Sequence, residues 1–278
     1  VTVLEFTLLV GLGAVAAGFL GALTGLGGGV VLVPLLTLGF SVDIRYAAGA
    51  SLLAVIATSS GAAAAYVREG FTNVRVGMLL EVATTVGALI GAHLATLIAP
   101  AALAVVFGVV LVVSAYLSLR PRPEGPGDAP PDPLAERLRL DGSYPTLEGR
   151  RPYRVRRVPA GFGLMFVAGG LSGLLGIGSG ALKVLAMDQV MRLPFKVSTT
   201  TSNFMIGVTA AASAGVYLNR GYIAPGLTMP VVLGVLFGSF LGARVLARLH
   251  ARFLRWVFAA VIVALGGEMI YRGLTGGL

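Results

Sequence analysis

Gly25-Leu26-Gly27-Gly28-Gly29, followed by the apolar run Val30 to Phe40, interrupts a hydrophobic stretch that extends over residues 3–38. A single helix of about 36 residues would reach ~54 Å at ~1.5 Å per residue, against a hydrocarbon core of ~30 Å. The stretch is therefore expected to enter a membrane, break at the glycines and return. The eleven residues from Val30 to Phe40 cover only ~16 Å as a helix, which makes them a half-helix starting near the midplane. A second cluster, Gly176-Ile177-Gly178-Ser179-Gly180, followed by Ala181 to Met191, breaks the long run 159–190 in the same way.

The two clusters stand 151 residues apart (176 − 25), and the offset holds throughout. Residues 19–120 lie over 170–271 without a gap, so that Ser51 falls on Ser202, Thr58 on Thr209, Tyr66 on Tyr217, Gly70 on Gly221, and Gly87 and Gly91 on Gly238 and Gly242. A chance series in one register is not credible even in a Gly/Ala-rich chain, and internal duplication is a common build of secondary transporters. The chain divides into repeat 1 (residues 1–119), a linker (120–158) and repeat 2 (159–278). The linker holds nine Arg, six acidic residues and many prolines. Within it, Asp132-Pro133-Leu134-Ala135-Glu136-Arg137-Leu138 reads either as the start of a short amphipathic helix or as part of a mostly disordered loop.

Composition agrees with lipid as the solvent. Of 278 residues, 56% are hydrophobic and 12% charged, where soluble domains carry roughly 25% charged residues; mean hydropathy is +0.89. This much apolar surface does not fit inside a water-soluble core. Cysteine is absent, which removes disulfides, thiol nucleophiles and thiolate metal sites. The only histidines, His93 and His250, are far apart, so no metal site or cofactor is expected. The net charge of +9 fits basic cytoplasmic loops better than nucleic-acid binding. Val1-Thr2-Val3-Leu4-Glu5 lacks a basic n-region and reads as the start of a spanning segment rather than a signal peptide.

Loop charge sets the expected topology. The basic linker should be cytoplasmic. Loop 98–101 is then outside and carries no charge, whereas its equivalent, 248–254, is inside and holds Arg248, His250 and Arg252. Opposite charge in equivalent loops fits inverted repeats with an odd number of segments. The expectation is an all-α integral membrane protein of about ten transmembrane segments, built as two inverted five-segment repeats with broken helices at the glycine clusters, and with both termini outside. Arg45 and Arg220 fall in loops expected outside and depart from the rule.

A half-helix starting inside the membrane presents N–H groups without internal acceptors and the positive end of its dipole. Such an end attracts anions, and glycine lets the backbone approach them. Gly27, Gly28, Gly29, Gly178, Ser179 and Gly180 are candidates for that role; tight helix packing is the alternative. A polar cluster follows in the next segment, Ser198-Thr199-Thr200-Thr201-Ser202-Asn203, with Ser51 at the equivalent of Ser202. Ser51, Thr200, Thr201, Ser202 and Asn203 carry donors suited to a small oxoanion, although such side chains also bond helix to helix or to their own carbonyls. Charges within the apolar runs are few, costly and indicative of a pathway. Lys183, three residues past the second break, adds positive charge beside an anion. Glu81 and His93 are candidates for proton coupling; Asp188 and Arg244 reach for water or the interface.

The run Gly18-Phe19-Leu20-Gly21-Ala22-Leu23-Thr24-Gly25-Leu26-Gly27-Gly28-Gly29-Val30-Val31-Leu32-Val33-Pro34 resembles the motif of the sulfite exporter TauE/SafE (sulfonate-uptake-permease) family, and Ala50-Ser51 resembles the next motif. The second copy at 170–185, with Ser198 to Asn203, fits as well, though Ser179 replaces a glycine and Leu185 stands where Pro34 does. The resemblance implies secondary transport of small sulfur-containing anions such as sulfite, thiosulfate, sulfoacetate or other organosulfonates, in the inner membrane. Two other functions remain open from the residues: an uncoupled anion channel on the same scaffold, and a membrane-embedded enzyme, for which no reactive constellation is visible.

Overall fold

The computed structural model describes residues 3–24, 28–68, 70–119, 132–146, 149–178, 180–246 and 251–276. Repeat 1 supplies α1 (Val3–Thr24), α2 (Gly29–Pro34), α3 (Ile44–Arg68), α4 (Val74–Leu97) and α5 (Pro100–Leu119). The linker contributes α6 (Pro133–Arg137) and the strands β1 (Gly142–Thr146) and β2 (Gly149–Tyr153). Repeat 2 supplies α7 (Val158–Leu175), α8 (Gly180–Leu185), α9 (Phe195–Asn219), α10 (Pro225–Leu246) and α11 (Ala251–Thr275).

Local chemistry places these boundaries. Asn73 caps α4 by accepting the Val76 N–H (3.1 Å). α7 has a proline in its first turn and ends at Gly176, whose left-handed backbone (φ 69°) returns its N–H to the Ser172 carbonyl. α2 and α8 each pass into a five-residue π-turn, Leu35–Gly39 and Ala186–Val190. Pro34 precedes the first and Leu185 the second, so the π-turn belongs to the duplicated geometry and not to the proline.

The 151-residue offset recurs in the backbone. Ser41 and Arg192 both take a left-handed conformation (φ 53° and 59°), as do Gly70 and Gly221 (φ 73° and 75°). Each π-turn closes with an equivalent bond, from the Val42 N–H to Leu36 O and from the Leu193 N–H to Met187 O.

The tightest helix pairs join one repeat to the other: α1 with α10, α4 with α7, α5 with α11 and α3 with α9. Glycine makes these approaches close. A methyl group on Gly87 would collide with the Phe166 carbonyl oxygen, and on Gly238, its equivalent, with that of Val15, the equivalent of Phe166. Gly169 meets Thr84 O in the same manner as Gly18 meets Val235 O. Backbone-to-backbone contact of this kind is how helices gain packing energy where lipid removes the hydrophobic drive. The contacts also fix direction. Gly49 lies against Tyr222 and Gly207 against Ser59, so α3 and α9 run antiparallel; Gly108 lies against Gly266 and Gly273 against Ala101, so α5 and α11 do too.

Among the described residues, four helical stretches are long and apolar enough to cross a membrane: Leu4–Gly21, Val74–Leu97, Val158–Leu175 and Pro225–Gly242. Their outward faces are apolar as well, with Leu12, Met78, Val82, Leu233 and Phe237 each about 60% exposed or more, which suits lipid and not water.

The described part of the linker is folded, in place of the disordered loop that the sequence left open. Asp132 caps α6 through Leu134 N–H (2.9 Å) and also accepts the N–H of Val158 (2.9 Å), at the start of α7. These backbone donors, Val158 foremost, hold its carboxyl below the usual carboxylate value. β1 and β2 form an antiparallel hairpin. Ala135, Leu140 and Val155 bury themselves in a core with Val76, Met191 and Val197. Asn73 ties this unit down, donating from Nδ2 to Leu140 O and to the Tyr153 hydroxyl (both 2.8 Å). Burial pushes the Tyr153 hydroxyl pKa up.

Candidate functional site

Three helices bring a charged pair together in the interior. α8 carries Lys183 one turn beyond the second glycine break, α9 carries Thr209, and α4 carries Glu81. Lys183 Nζ donates to Thr209 Oγ1 (2.5 Å), and Thr209 Oγ1 donates to Glu81 Oε1 (2.6 Å). Thr85 Oγ1 donates to the same carboxylate oxygen (3.1 Å). A threonine hydroxyl has one proton and two lone pairs, so it can serve both neighbours at once. Lys183 is 0% exposed and Glu81 7%. Charges this deep persist only when paired, yet Glu81 Oε2 is buried without a partner.

The glycine breaks adjoin this cluster. Gly29 opens α2, and Gly28 O accepts the N–H groups of Val31 (3.2 Å) and Leu32 (3.0 Å). A Cβ on Gly29 would stand 2.6 Å from Ser51 Oγ and 3.3 Å from the Ile177 Cα. Ser51 Oγ is buried and has no hydrogen-bond partner. Val55 touches both breaks, with Cγ2 toward Gly29 and Cγ1 toward Gly178. Gly178 is left-handed (φ 71°), a conformation that glycine adopts without strain. Ile206, the equivalent of Val55, lies against Gly178 as well. Ser202 Oγ donates to Gly180 O (3.3 Å). Thr209 is one turn along α9 from Ile206, so the breaks, Ser51 and the charged pair form one buried region.

Other expected site residues lie elsewhere or are engaged otherwise. Gly27 and Ser179 fall outside the described residues. Thr200 Oγ1 donates back to its own helix, at Lys196 O (2.9 Å) and Val197 O (3.1 Å). Thr201 Oγ1 accepts the Asn73 N–H (3.0 Å) near the linker. Asn203 is half-buried beside Ser202. His93 is exposed, twelve residues along α4 from Glu81, in a surface groove with Asn219 and Arg220; at ~1.5 Å per residue that is ~18 Å. Thr209 and Thr85 complete the cluster without having stood out as site residues. The one signal for Thr209 is its match to Thr58 in the repeat. Arg45 holds structure together, since Nη2 donates to Ile98 O (2.6 Å) and its guanidinium lies over the Tyr222 ring. The equivalents of these two residues, Lys196 and Phe71, stack likewise.

The chain is similar to known membrane proteins along nearly its whole length. The family described as Sulfite exporter TauE/SafE matches residues 10–269. The probable membrane transporter protein YunE of Bacillus subtilis is 29% identical, over 98% of this chain and 99% of its own. A probable membrane transporter protein of Xylella fastidiosa is 24% identical over 98% and 97%, and one of Methanocaldococcus jannaschii 23% over 91% of each. No solved structure matches.

Proposed function

The chain belongs to the sulfite exporter TauE/SafE family of membrane transporters, and we propose that it is a secondary transporter which moves small sulfur-containing anions across the inner membrane with protons. Sulfite, thiosulfate, sulfoacetate and other organosulfonates make up the substrate class. The observation that carries this reading is the fully buried Lys183, bonded through Thr209 to Glu81, beside two glycine breaks and an unpartnered Ser51 hydroxyl.

The chemistry follows from neutrality. A buried ammonium needs a counter-charge. Glu81 supplies it in the resting state. When a sulfonate or sulfite takes that role at Lys183, Glu81 regains neutrality by taking a proton, so anion and proton travel together. Ser51 and the backbone around Gly28, Gly29, Gly178 and Gly180 accommodate the anion's oxygens. Glu81 is preferred to His93 for coupling because it touches the cluster. The antiparallel course of α3 against α9 and of α5 against α11 supports inverted repeats of about five segments each, and the basic charge of the linker favours a cytoplasmic linker with both termini outside. Rocking of one repeat as a body would tear α1 from α10 and α4 from α7. Those mixed pairs are therefore the rigid bodies, and α2 and α8 move between them.

The test is uptake of labelled sulfite, thiosulfate and sulfoacetate into proteoliposomes, with and without an imposed pH gradient. Saturable uptake driven by the gradient, and lost in K183Q, supports the reading. Uptake of an anion indifferent to pH makes the protein an uncoupled channel, and no uptake of any of them removes the substrate class.

A further inference from the structure

The geometry points to Thr209 as the proton bridge between Glu81 and Lys183, the residue through which the state of the anion site sets the protonation of the carboxylate. This inference rests on the coupled-transport reading above and adds a residue and a route to it.

Thr209 Oγ1 lies within hydrogen-bond distance of both charged groups, at 2.5 Å from Lys183 Nζ and 2.6 Å from Glu81 Oε1, and the carboxylate is a nearer acceptor for its proton than Met205 O on its own helix (3.1 Å). The donor order runs one way: N–H of lysine to the hydroxyl oxygen, O–H of threonine to the carboxylate. A proton can pass along it in one concerted step. Lys183 gives a proton to Thr209 Oγ1 while Thr209 gives its own to Glu81 Oε1. The N–H bond of the ammonium breaks, an O–H bond forms on the carboxylate, and the hydroxyl is regenerated. An ion pair becomes a neutral amine and a carboxylic acid, with no net charge moved into or out of the interior. Neutral groups cost less than ions there, so the step lets the pair come apart when the helices move; the transported proton then restores the Lys183 ammonium for the anion while Glu81 stays neutral, and one proton enters with each anion.

Among the described residues no other ionisable group bonds to the bridge. α3, packed on α9, holds Arg45 and Tyr46 in its first turn, engaged with Ala95 O, Ile98 O and the Tyr222 ring, and Tyr66 and Arg68 in its last. α7, packed on α4, holds no ionisable side chain. α8 holds Lys183 alone, and Asp188 follows five residues later in the π-turn. On α9, Lys196 lies over the Phe71 ring and Tyr217 bonds to Gly173 O and Leu174 O. On α4, Arg75 donates to Arg139 O near the linker, and His93 sits in the surface groove.

Repeat 1 contains an internal control. Thr58, the equivalent of Thr209, bonds back to Ala54 O and Val55 O, and Thr209 keeps the first of these contacts at Met205 O (3.1 Å). Leu32 and Val232 stand where Lys183 and Glu81 stand in the other copy, so Thr58 has the hydroxyl without the charges.

The experiment compares wild type with T209V, T209S and T58V in proteoliposomes. In T209V, a single symmetric elution peak in detergent shows a folded protein, while proton-driven thiosulfate accumulation falls by about tenfold or more. T209S restores it and T58V leaves it intact. Accumulation by T209V at the wild-type level overturns the bridge. Difference infrared titration of the same proteins without any anion separates this inference from the substrate assignment. The Glu81 carboxyl band, identified by its loss in E81Q, shifts its midpoint by about one pH unit in T209V and returns in T209S. An unshifted band overturns the bridge even where transport is seen. A shifted band in a protein that moves none of the anions upholds the bridge and discards the substrate class.

Discussion

Lys183 occupies the position in the second repeat that Leu32 occupies in the first, and both side chains are fully buried. One duplicated pocket thus takes an ammonium in one copy and an isobutyl group in the other. The difference is matched on the facing helices, where Glu81 has Val232 as its equivalent.

Removing one member alone should therefore be costly. K183M, close in length and apolar, is expected to lose about 3 kcal/mol by stranding Glu81, read as a lower thermal unfolding midpoint in detergent. The double variant K183M/E81Q should recover most of that loss without recovering transport. A double variant no more stable than K183M would sink the pairing.

The glycine contacts between α4 and α7 predict a sharp positional contrast. G87A drives a methyl into the Phe166 carbonyl and should cost about 1–3 kcal/mol, as overpacking does. Gly163, in the same pair, has open space around it, so G163A should be neutral or stabilise α7 by up to about 1 kcal/mol. Thermal midpoints of the two variants, measured side by side, check this.

Asn73 joins α4, α9 and the linker through four hydrogen bonds. N73A removes the α4 cap, worth about 1 kcal/mol, and both ties to the linker. Limited proteolysis should then cut within residues 138–157 severalfold faster than in wild type, while T200A, which loses only bonds within its own helix, should be cut as slowly as wild type.

Linker docking should also depend on pH. Asp132 has its folded pKa depressed below the ordinary 3.8. Its contribution is present above that ordinary value and is lost as pH falls through the depressed one. Hydrogen exchange at the Leu134 and Val158 amides should rise on acidification below about pH 4. D132N should exchange at a rate that ignores pH over that window, once the intrinsic chemistry is divided out.

Much of this architecture could be read from the chain because duplication preserves spacing. Gly29 with Ser51 and Gly180 with Ser202 are separated by the same 22 residues, and each glycine meets its serine in space. The half-helices were legible as lengths, since eleven residues cannot cross a bilayer. Thr209 was not legible as a site residue. Its partners lie 26 and 128 residues away on two other helices, and a lone threonine in an apolar run looks like any other. The linker misled for a similar reason. Its stability comes from contacts such as Asp132 with Val158, closed only when α7 is in place, and an Arg- and Pro-rich stretch shows no hydrophobic period in advance.

The exchange of partners between the repeats makes each half dependent on the other. Half a molecule would leave the glycine face of α1 bare, because α10 covers it, and that of α4 bare, because α7 does. A single repeat thus has no complete interior of its own, and the linker holds together two halves that complete each other. Cut between Leu119 and Asp132 and made as two chains, the halves should find each other again, and neither should survive alone.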